Sequence, residues 1–246
     1  INNARRIQHA VLSVSDASGE MLCNHFVIFK PKAIVSGDFY WATQIDRTLI
    51  VTVADCTGHG VPGAFMSMLG VSFLTEILRK SDVKTTGQAL NELRAYLIAA
   101  MKQSGKSGEQ KDGMDIALCA IDLDTLECQY TGANNPVYIL RKEAETLEEL
   151  RPDKMPVAIH EVMHSFRTQV VQLCKGDRVF LFSDGYADQF GGRKGKTYLY
   201  KPFKKLIVDT SSLSIPDQGK ALEVEIAAWM DYIDPVTKEP FEQVDD

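Results

Sequence analysis

The chain has 246 residues, of which 45% are hydrophobic and 24% are charged, a composition typical of a globular protein. Its formal net charge of −6 argues against general nucleic-acid binding, because proteins with that function carry a basic surface. No apolar run approaches the length of a membrane span, and no signal peptide is visible. Because the chain begins with Ile1 rather than Met, we expect a fragment of a longer protein, and an upstream sensor or membrane segment stays open.

The cysteines indicate a reducing compartment. Their number is odd and they are scattered along the chain, and three of them lie in or beside apolar runs typical of strands. We therefore expect reduced core thiols in a cytoplasmic protein. The five are Cys23, Cys56, Cys119, Cys128 and Cys174.

The first 30 residues predict a helix and a strand. Residues 1–14 read as the end of a helix whose apolar stripe is Ile7, Ala10, Val11 and Val14. Such a stripe is typical of a packed helix, and the alternative is a linker helix or coiled coil that continues from an upstream domain. Residues 25–29 then predict a first strand.

Two helices are predicted next. Residues 64–80 are apolar nearly all round, which indicates a helix covered on most sides. Residues 87–103 form the second helix, preceded by a capping box in which Thr85 is followed three residues later by Gln88.

The second half of the chain changes to the period of strands. The segments are short and closely spaced, which favours antiparallel hairpins over parallel βαβ units. Residues 186–212 are predicted to be irregular, and a final helix is predicted near residues 217–233. Antiparallel strands with segregated helices indicate the α+β class, with two sheets between helices. The predicted strands are 116–123, 126–131, 136–141, 166–173 and 178–183, with the last two joined by a turn at 175–177.

The most informative stretch is residues 35–63, which contains two acidic residues at abrupt changes of pattern. Asp38 precedes an aromatic run, and Asp55 ends the β-branched run 48–53, which predicts a buried strand. A carboxylate at the end of a core strand is held rigidly, as a hard-cation site requires. The alternative for Asp55 alone is a turn former or helix N-cap.

Further acidic residues follow at predicted strand ends, namely Asp184 and the terminal pair Asp245 and Asp246. Carboxylates without His or Cys partners select Mg²⁺ or Mn²⁺ over zinc. The sequence Cys56-x-x-His59 resembles half of a zinc site, but no second pair of ligands is present. Two divalent cations ~3.5–4 Å apart would lower the pKa of a bridging water and offset the charge of a phosphoryl group, so that no Ser or Cys nucleophile is needed.

Five ordered motifs carry a family resemblance over nearly the whole chain. The sequence resembles the PPM-type (type 2C) protein serine/threonine phosphatases, and within them the bacterial SpoIIE-like branch. The motifs are SGDFYW, ADCTGHGVPGAFMSMLG, YTGANNPVYIL, RPDKMPVAI and LFSDGYADQFGG.

The resemblance implies a four-layer αββα sandwich of two antiparallel sheets flanked by helices, with a site for two Mn²⁺ or Mg²⁺ ions at one edge. Residues 1–14 would be the end of an N-terminal linker helix and residues 15–246 the phosphatase domain. Because they match the acidic residues of the family motifs, Asp38, Asp55 and Asp184 are implied to be catalytic. The implied metal ligands are Asp38, Asp55, the backbone carbonyl of Cys56, Asp184 and Asp245.

The implied activity is hydrolysis of phosphoserine or phosphothreonine on a protein substrate by a metal-bridged hydroxide. In this branch the substrate is commonly an anti-sigma-antagonist-type signalling protein. The implied partners are that phosphoprotein, an upstream sensor or regulatory domain on the same chain, and a second copy in a homodimer. We expect a cytoplasmic domain without nucleic-acid or membrane contact of its own, and a tether to a membrane sensor outside this sequence stays open.

The sequence departs from the family pattern in two places. The family's last strand follows the terminal acidic pair, so we expect that strand to be missing here. Eukaryotic relatives have a phosphate-binding Arg upstream of the first Asp, where this chain has Lys30 and Lys32, and that role is not carried over. Asp112 or Asp115 could be a ligand of the third metal ion seen in the wider family, but a role in a turn is favoured for both.

Several polar groups keep two readings. His59 is a candidate general acid, with a hydrogen-bonded loop histidine as the favoured alternative. Asn134-Asn135 is favoured as turn chemistry over substrate contact. The basic residues of 193–205 are favoured as a solvated loop, with reception of an acidic phosphoprotein as the second hypothesis.

Two rival functions remain at this point. One is a non-catalytic PPM-fold module that binds a partner, and the other is a different metal hydrolase such as a nuclease or small-molecule phosphatase. A haloacid-dehalogenase-type phosphatase is excluded, because no Asp-x-Asp nucleophile follows the first strand.

Overall fold

The computed structural model describes residues 2–12, 24–80, 82–106, 108–109, 111–142, 146–233 and 237–246. Predictions for Cys23 and Val14 lie outside these residues. The helices are α1 (Asn2–Leu12), α2 (Gly60–Ile77), α3 (Thr86–Ala100), α4 (Gly185–Asp188), α5 (Tyr200–Asp209) and α6 (Ile215–Met230). The strands are β1 (Phe39–Ile45), β2 (Thr48–Cys56), β3 (Met114–Asp122), β4 (Glu127–Ala133), β5 (Val137–Arg141), β6 (Thr146–Leu150), β7 (Gln169–Gln172), β8 (Arg178–Leu181), β9 (Phe190–Gly191) and β10 (Lys196–Thr197).

The strands form two main antiparallel sheets. The larger sheet has the order β1-β2-β3-β4-β7, and the smaller one has the order β6-β5-β8. β9 and β10 form a separate two-residue ladder. The prediction of the α+β class with antiparallel sheets and helices is confirmed.

Alternation along the strands divides the core into three clusters, because successive side chains of a strand point to opposite faces. From β3, Ile116 and Leu118 pack with α2 and α3, whereas Ala117 and Cys119 pack with side chains of β4 and β5. The opposite face of β5, including Tyr138, packs on α5 and α6. The larger sheet therefore has helices on one face and the smaller sheet on the other.

The predicted capping box at the start of α3 is present. The Thr85 hydroxyl accepts from the Gln88 backbone N–H at 3.2 Å, and the Gln88 side chain accepts from the Thr85 backbone N–H at 3.1 Å. Since both groups satisfy helix N–H donors that lack intrahelical partners, the box fixes where α3 begins.

α2 is less covered than its apolar sequence predicts. Met66, Leu74 and Ile77 are buried in the core, but Val61 and Phe65 in its first two turns are 61% and 66% exposed. By length and composition α2 could also cross a membrane, contrary to the sequence-based statement that no run approaches that length. Its buried residues pack within the domain core.

α1 presents a different face from the predicted one. Ile7 and Val11 are exposed, whereas Gln8 and Leu12 are buried. The reason is that α1 contacts α2 and β1 through Gln8 and Leu12, each of which lies one position after a residue of the predicted stripe. The predicted stripe missed this face because Gln8 is polar.

The strand predicted at residues 25–29 is wrong. This segment has no strand structure, although Phe26 and Ile28 pack against the cluster of β5, α5 and α6. Apolar, β-prone residues favour a strand only where another strand supplies the ladder, and none of the described strands pairs here.

The irregular region predicted at residues 186–212 is also wrong, because it contains α4, the β9–β10 ladder and the ten-residue helix α5. The basic residues of α5 obscure a helical stripe whose buried members are Phe203 and Ile207. Pro202 is tolerated there because it lies in the first helical turn.

Two strands were missed, and one predicted hairpin is absent. β1 was read only as an aromatic run, and β6 has only one buried residue, Leu150. The segments predicted as a pair belong to different sheets, since β7 extends the larger sheet and β8 the smaller one. Cys174, predicted as a core thiol, is exposed, whereas the thiols of Cys56, Cys119 and Cys128 are free and buried.

Candidate active site

The larger sheet brings acidic residues into one row at the end of its strands. Phe39 pairs with Ala54 across β1 and β2, so Asp38 and Asp55 follow at the same end. Asp55 in turn pairs with Asp115 on β3. Antiparallel pairing thus places three carboxylates on neighbouring strands at one edge, and Asp38 is buried.

The smaller sheet and the C-terminal segment add acidic residues to this edge. Asp184 follows β8 and is the N-cap residue of α4, and the Ser183 side chain hydrogen-bonds to Asp38. The negative charge of Asp245 raises the pKa of Asp38, Asp55 and Asp184. The structure therefore brings together the four predicted ligand carboxylates, from both sheets and from the end of the chain.

The pKa values of these groups reflect burial and mutual repulsion. Burial, followed by the charge of Asp245, raises the pKa of Asp184 to about 6. Burial also raises the pKa of Asp38 and of Asp55, and their side chains hydrogen-bond to one another. A hydrogen bond between two carboxyl groups requires a shared proton, because both oxygens are acceptors when ionised. In the absence of a metal ion, burial and the neighbouring charges therefore favour the neutral form of these carboxyl groups.

Two glycines allow the two acidic loops to touch. A methyl group on Gly37 would overlap the Gly58 carbonyl oxygen and lie 3.1 Å from the carbonyl oxygen of Cys56. A methyl group on Gly63 would lie 2.7 Å from the Gly37 Cα. Gly37 of the SGD motif and Gly63 of the TGHGVPG motif are thus required for close backbone approach, which sets the Cys56 carbonyl beside the loop of Asp38.

The terminal acidic pair divides into two roles. Asp246 accepts hydrogen bonds from the backbone N–H of Lys32 at 2.7 Å and of Gly37 at 2.8 Å. Asp245 accepts from the Asp246 backbone N–H at 2.9 Å. The end of the chain is anchored further by Gln189, whose side-chain amide donates to the Glu242 carbonyl at 2.9 Å. Asp246 thus holds the loop of Asp38 in place and its charge also acts on Asp38, whereas the charge of Asp245 acts on Asp38, Asp55 and Asp184.

The residues of this edge fit divalent cations by their chemistry. No three His, Cys, Asp or Glu side chains in the part of the chain described are arranged to hold one metal ion. The donor set nevertheless consists of carboxylate and carbonyl oxygens, which suit Mg²⁺ or Mn²⁺. In the metal-free protein, the proton shared by Asp38 and Asp55 neutralises one negative charge of the pair. A bound cation would neutralise that charge instead.

The zinc alternative gains no further ligand from the residues that the structure describes. Cys56 is buried, and a structural zinc site needs four N or S ligands. His59 is exposed as the N-cap residue of α2, and its side chain makes no capping hydrogen bond. Asp55 does not cap this helix.

The remaining candidates have structural partners. Asn134 adopts a positive φ of 56° and its side chain donates to Asp115 at 2.9 Å, as the turn interpretation predicts. The Lys32 ammonium group donates to the Val244 carbonyl at 2.7 Å. In the basic region Lys204 pairs with Glu149 at 2.6 Å, and Lys205 pairs with Asp209. The hypothesis that this region receives an acidic phosphoprotein therefore has two fewer unpaired lysines to rest on.

Sequence reasoning missed two residues near the site. Tyr200 begins α5, and burial followed by the charge of Asp184 raises its pKa to about 12. It follows Leu199, whose φ of 74° and ψ of 154° lie in a region that is essentially restricted to glycine. Gln8 of α1 contacts the loop of Asp38 (see below). No local sequence pattern marks Tyr200 or Gln8. The strained backbone of Leu199 points to Tyr200, but it is visible only in the structure.

An apolar cavity of about 500 Å³ adjoins the acidic edge. It is bounded by segment 24–30, by side chains of β1 and β2 and by β8, and Asp38 and Asp245 lie among its lining residues. The cavity therefore places apolar side chains on one side of Asp38 and Asp245.

Comparisons with known proteins identify a family and similar folds. A family model described as Stage II sporulation protein E (SpoIIE) matches residues 45–230. The solved SiaA-PP2C domain of Pseudomonas aeruginosa is 25% identical, with a TM-score of 0.82 over 93% of this chain and 88% of that one. No curated protein matches the chain.

Two further solved structures share the fold at lower identity. The PP2C phosphatase domain of SpoIIE from Bacillus subtilis, solved with a fragment of its regulatory domain, is 19% identical with a TM-score of 0.59, over 79% of this chain and 52% of that one. RsbX, solved in complex with magnesium, is 12% identical with a TM-score of 0.54, over 79% of this chain and 82% of that one.

Proposed function

The chain belongs to the SpoIIE family of PP2C-type phosphatases, and on that premise we propose that it is a metal-dependent protein serine/threonine phosphatase. Its reaction is hydrolysis of phosphoserine or phosphothreonine on a protein substrate. The observation that carries the proposal is the convergence of Asp38, Asp55, Asp184 and the Asp245 charge at one edge of the sheets.

The proposed roles follow from the positions of these residues. Asp38, Asp55, Asp184, Asp245 and the Cys56 carbonyl would hold two Mn²⁺ or Mg²⁺ ions. When bound, the ions supply an activated water and neutralise the charge of the phosphoryl group. Asp38 and Asp55 give up their shared proton when the site is loaded, because a metal-binding carboxylate must be ionised.

The surroundings of the acidic edge favour a macromolecular substrate. Phe65 and Val61 lie exposed on α2, which begins directly after the loop of Asp55. Exposed apolar side chains beside a site are typical of surfaces that contact proteins. We propose that the substrate is a phosphorylated signalling protein of the anti-sigma-antagonist type, as in relatives of this branch.

We further propose that the activity is regulated by an upstream sensor or regulatory domain on the same chain. The solved SpoIIE phosphatase domain includes a fragment of its regulatory domain, and α1 is the element through which such a domain would act here. Homodimerisation and a cytoplasmic location, with a possible membrane tether outside this sequence, complete the proposal.

The proposal is tested by release of phosphate from a phosphoserine peptide with and without Mn²⁺. We expect Mn²⁺-dependent turnover that Asp55→Asn and Asp184→Asn each reduce by at least about a hundredfold, since removing a group that stabilises transition-state charge costs 10²–10³ in kcat. Asp82→Asn, in an exposed turn, is the matched control and should retain full activity.

Three outcomes would contradict the proposal. Activity that is independent of Mn²⁺, or that survives both Asp substitutions, would exclude this site. Faster hydrolysis of DNA or of a sugar phosphate than of the peptide would favour a different metal hydrolase. Absence of both turnover and Mn²⁺ binding would favour the non-catalytic PPM-fold module.

A further inference from the structure

A single buried glutamine connects the N-terminal helix to the loop of Asp38. Gln8 is 4% exposed, although its neighbours Ile7 and His9 on α1 are exposed. Burying an amide is unfavourable unless its polar atoms are paired, and here they are. The Gln8 side-chain oxygen accepts from the Ser36 backbone N–H at 3.0 Å, and its nitrogen donates to the Ser36 carbonyl at 2.7 Å.

These two hydrogen bonds fix both backbone polar groups of one residue. Ser36 is fully buried, and its hydroxyl oxygen has no hydrogen-bond partner within the described part of the chain. The segment is therefore positioned through its backbone. The next residue, Gly37, donates its N–H to Asp246 at 2.8 Å, and Asp38 follows. Gln8 thus holds a residue, Ser36, that lies two positions before Asp38 of the acidic cluster.

The same amide also reaches the second acidic loop through α2. The Gln8 nitrogen donates to the hydroxyl of Ser67 at 3.1 Å, and that hydroxyl donates to the Ala64 carbonyl at 3.0 Å. α2 begins at Gly60, five residues after Asp55. One side chain of α1 therefore contacts the loop before β1 and the helix that follows β2.

We propose that Gln8 is a positioning residue that holds the loop of Asp38 against the first turns of α2 and so aligns Asp38 with Asp55. Without the Gln8 amide, the buried Ser36 N–H loses the side chain that accepts from it, and the Ser36 carbonyl keeps the longer contact with the Ser67 hydroxyl at 3.4 Å. The Ser36 N–H must then find another partner, and the loop of Asp38 moves. This inference rests on the proposed function for its catalytic readout only.

The test compares Gln8→Met, which keeps the length and burial of the side chain but removes its hydrogen bonds, with Ile7→Ala on the exposed face of α1. Hydrogen exchange of the peptide covering residues 35–39 is measured in the full chain. We expect faster exchange in Gln8→Met and unchanged exchange in Ile7→Ala, because the Ser36 and Gly37 N–H groups lose their protection only in the former.

Steady-state kinetics on the phosphoserine peptide give the second readout. We expect Gln8→Met to lower kcat by about tenfold to a hundredfold, since small displacements of catalytic groups have effects of this size, while KM for the peptide is unchanged. Excess Mn²⁺ should restore part of the loss. Ser67→Ala, which removes one contact of Gln8 and the 3.4 Å contact of the Ser67 hydroxyl with the Ser36 carbonyl, should give a smaller decrease and serves if Gln8→Met fails to fold.

A purely structural role for Gln8 predicts a different pattern. Leu12→Ala removes an apolar contact of α1 and tests that role. The proposal is overturned if Gln8→Met leaves exchange at residues 35–39 unchanged, or if Leu12→Ala and Gln8→Met lower thermal stability and kcat in the same proportion. If the parent chain shows no phosphatase activity, the proposed function fails, and hydrogen exchange alone decides the role of Gln8.

Discussion

At the residue scale, the crowded carboxylates predict an unusual pH dependence of stability for the metal-free protein. Their pKa values are raised in the folded state, so these groups bind more protons in the folded protein than in the unfolded one. The stability that they contribute is therefore fully present below the ordinary Asp pKa of about 3.9 and is lost as pH rises. For Asp184 the loss extends to about pH 6, and for Asp38 and Asp55 it continues above that.

The measurement is the Tm of the EDTA-treated protein from pH 4.5 to 8. We expect the decrease in Tm with rising pH to be smaller in Asp55→Asn, where one carboxylate is neutral at every pH. Saturating Mn²⁺ should raise Tm more at pH 8 than at pH 5, because binding displaces protons. A Tm profile that Asp55→Asn leaves unchanged would show that the cluster does not control it.

The glycine contacts give a second prediction at this scale. In Gly37→Ala the new methyl group overlaps the Gly58 carbonyl oxygen, so the loops of Asp38 and Asp55 must move apart. We expect a loss of about 1–3 kcal/mol in the free energy of unfolding, as for other overpacked sites, and a decrease in kcat of about a hundredfold.

Gly70→Ala is the matched control for this prediction. Its methyl group would lie 2.9 Å from the Met114 side chain and 3.1 Å from that of Phe39, and flexible side chains can move. We expect comparable destabilisation with kcat retained. Equal losses of kcat in both variants would show that overpacking alone explains the effect of Gly37→Ala.

The acidic residues at the ends of strands were predictable from the sequence, whereas the residues that hold those acidic residues in position were not. Asp38 and Asp55 lie at visible changes of sequence pattern, and neighbouring antiparallel strands bring such ends together. Gln8 acts on Ser36, 28 residues away, and its burial depends on which stripe of α1 faces the core. No local pattern encodes that choice.

At the element scale, the cap of α3 provides a stability prediction independent of the site. Thr85→Ala removes the hydroxyl that accepts from Gln88. The expected loss is about 1 kcal/mol, equivalent to a decrease in Tm of about 2–4 °C for a domain of this size. Ser72→Ala on the exposed face of α2 should leave Tm unchanged. A Tm of Thr85→Ala equal to the parent value would mean that α3 is held by packing alone.

Elements with a strong local signal were predicted well, and those that depend on partners were not. The central helices α2 and α3 and the strands β2 and β3 follow from apolar periodicity. Segment 25–29 has the composition of a strand but no partner strand. α5 was missed because its many lysines hide a two-residue buried stripe, Phe203 and Ile207, that only the packing against α6 and β5 makes visible.

At the scale of the whole molecule, the class of fold followed from the order of elements, but the distribution of strands between the sheets did not. β4 and β5 are separated by three residues and lie in different sheets, as do β7 and β8. A short connection is compatible with either a hairpin or a crossing between packed sheets. The choice is made by the three core clusters, which are properties of the assembled domain.

The acidic edge is a product of this assembly. Its carboxylates come from the larger sheet, from the turn after β8 and from the C-terminal segment that Gln189 and Lys32 hold in place. The central claim is that these separate pieces form one site for two divalent cations.

Isothermal titration calorimetry of the full chain with Mn²⁺ tests that claim most directly. We predict binding of two ions per chain, loss of at least one ion in both Asp55→Asn and Asp184→Asn, and unchanged binding in Asp82→Asn. Absence of Mn²⁺ binding by the parent chain, or binding that both Asp substitutions at the acidic edge leave intact, would contradict the account.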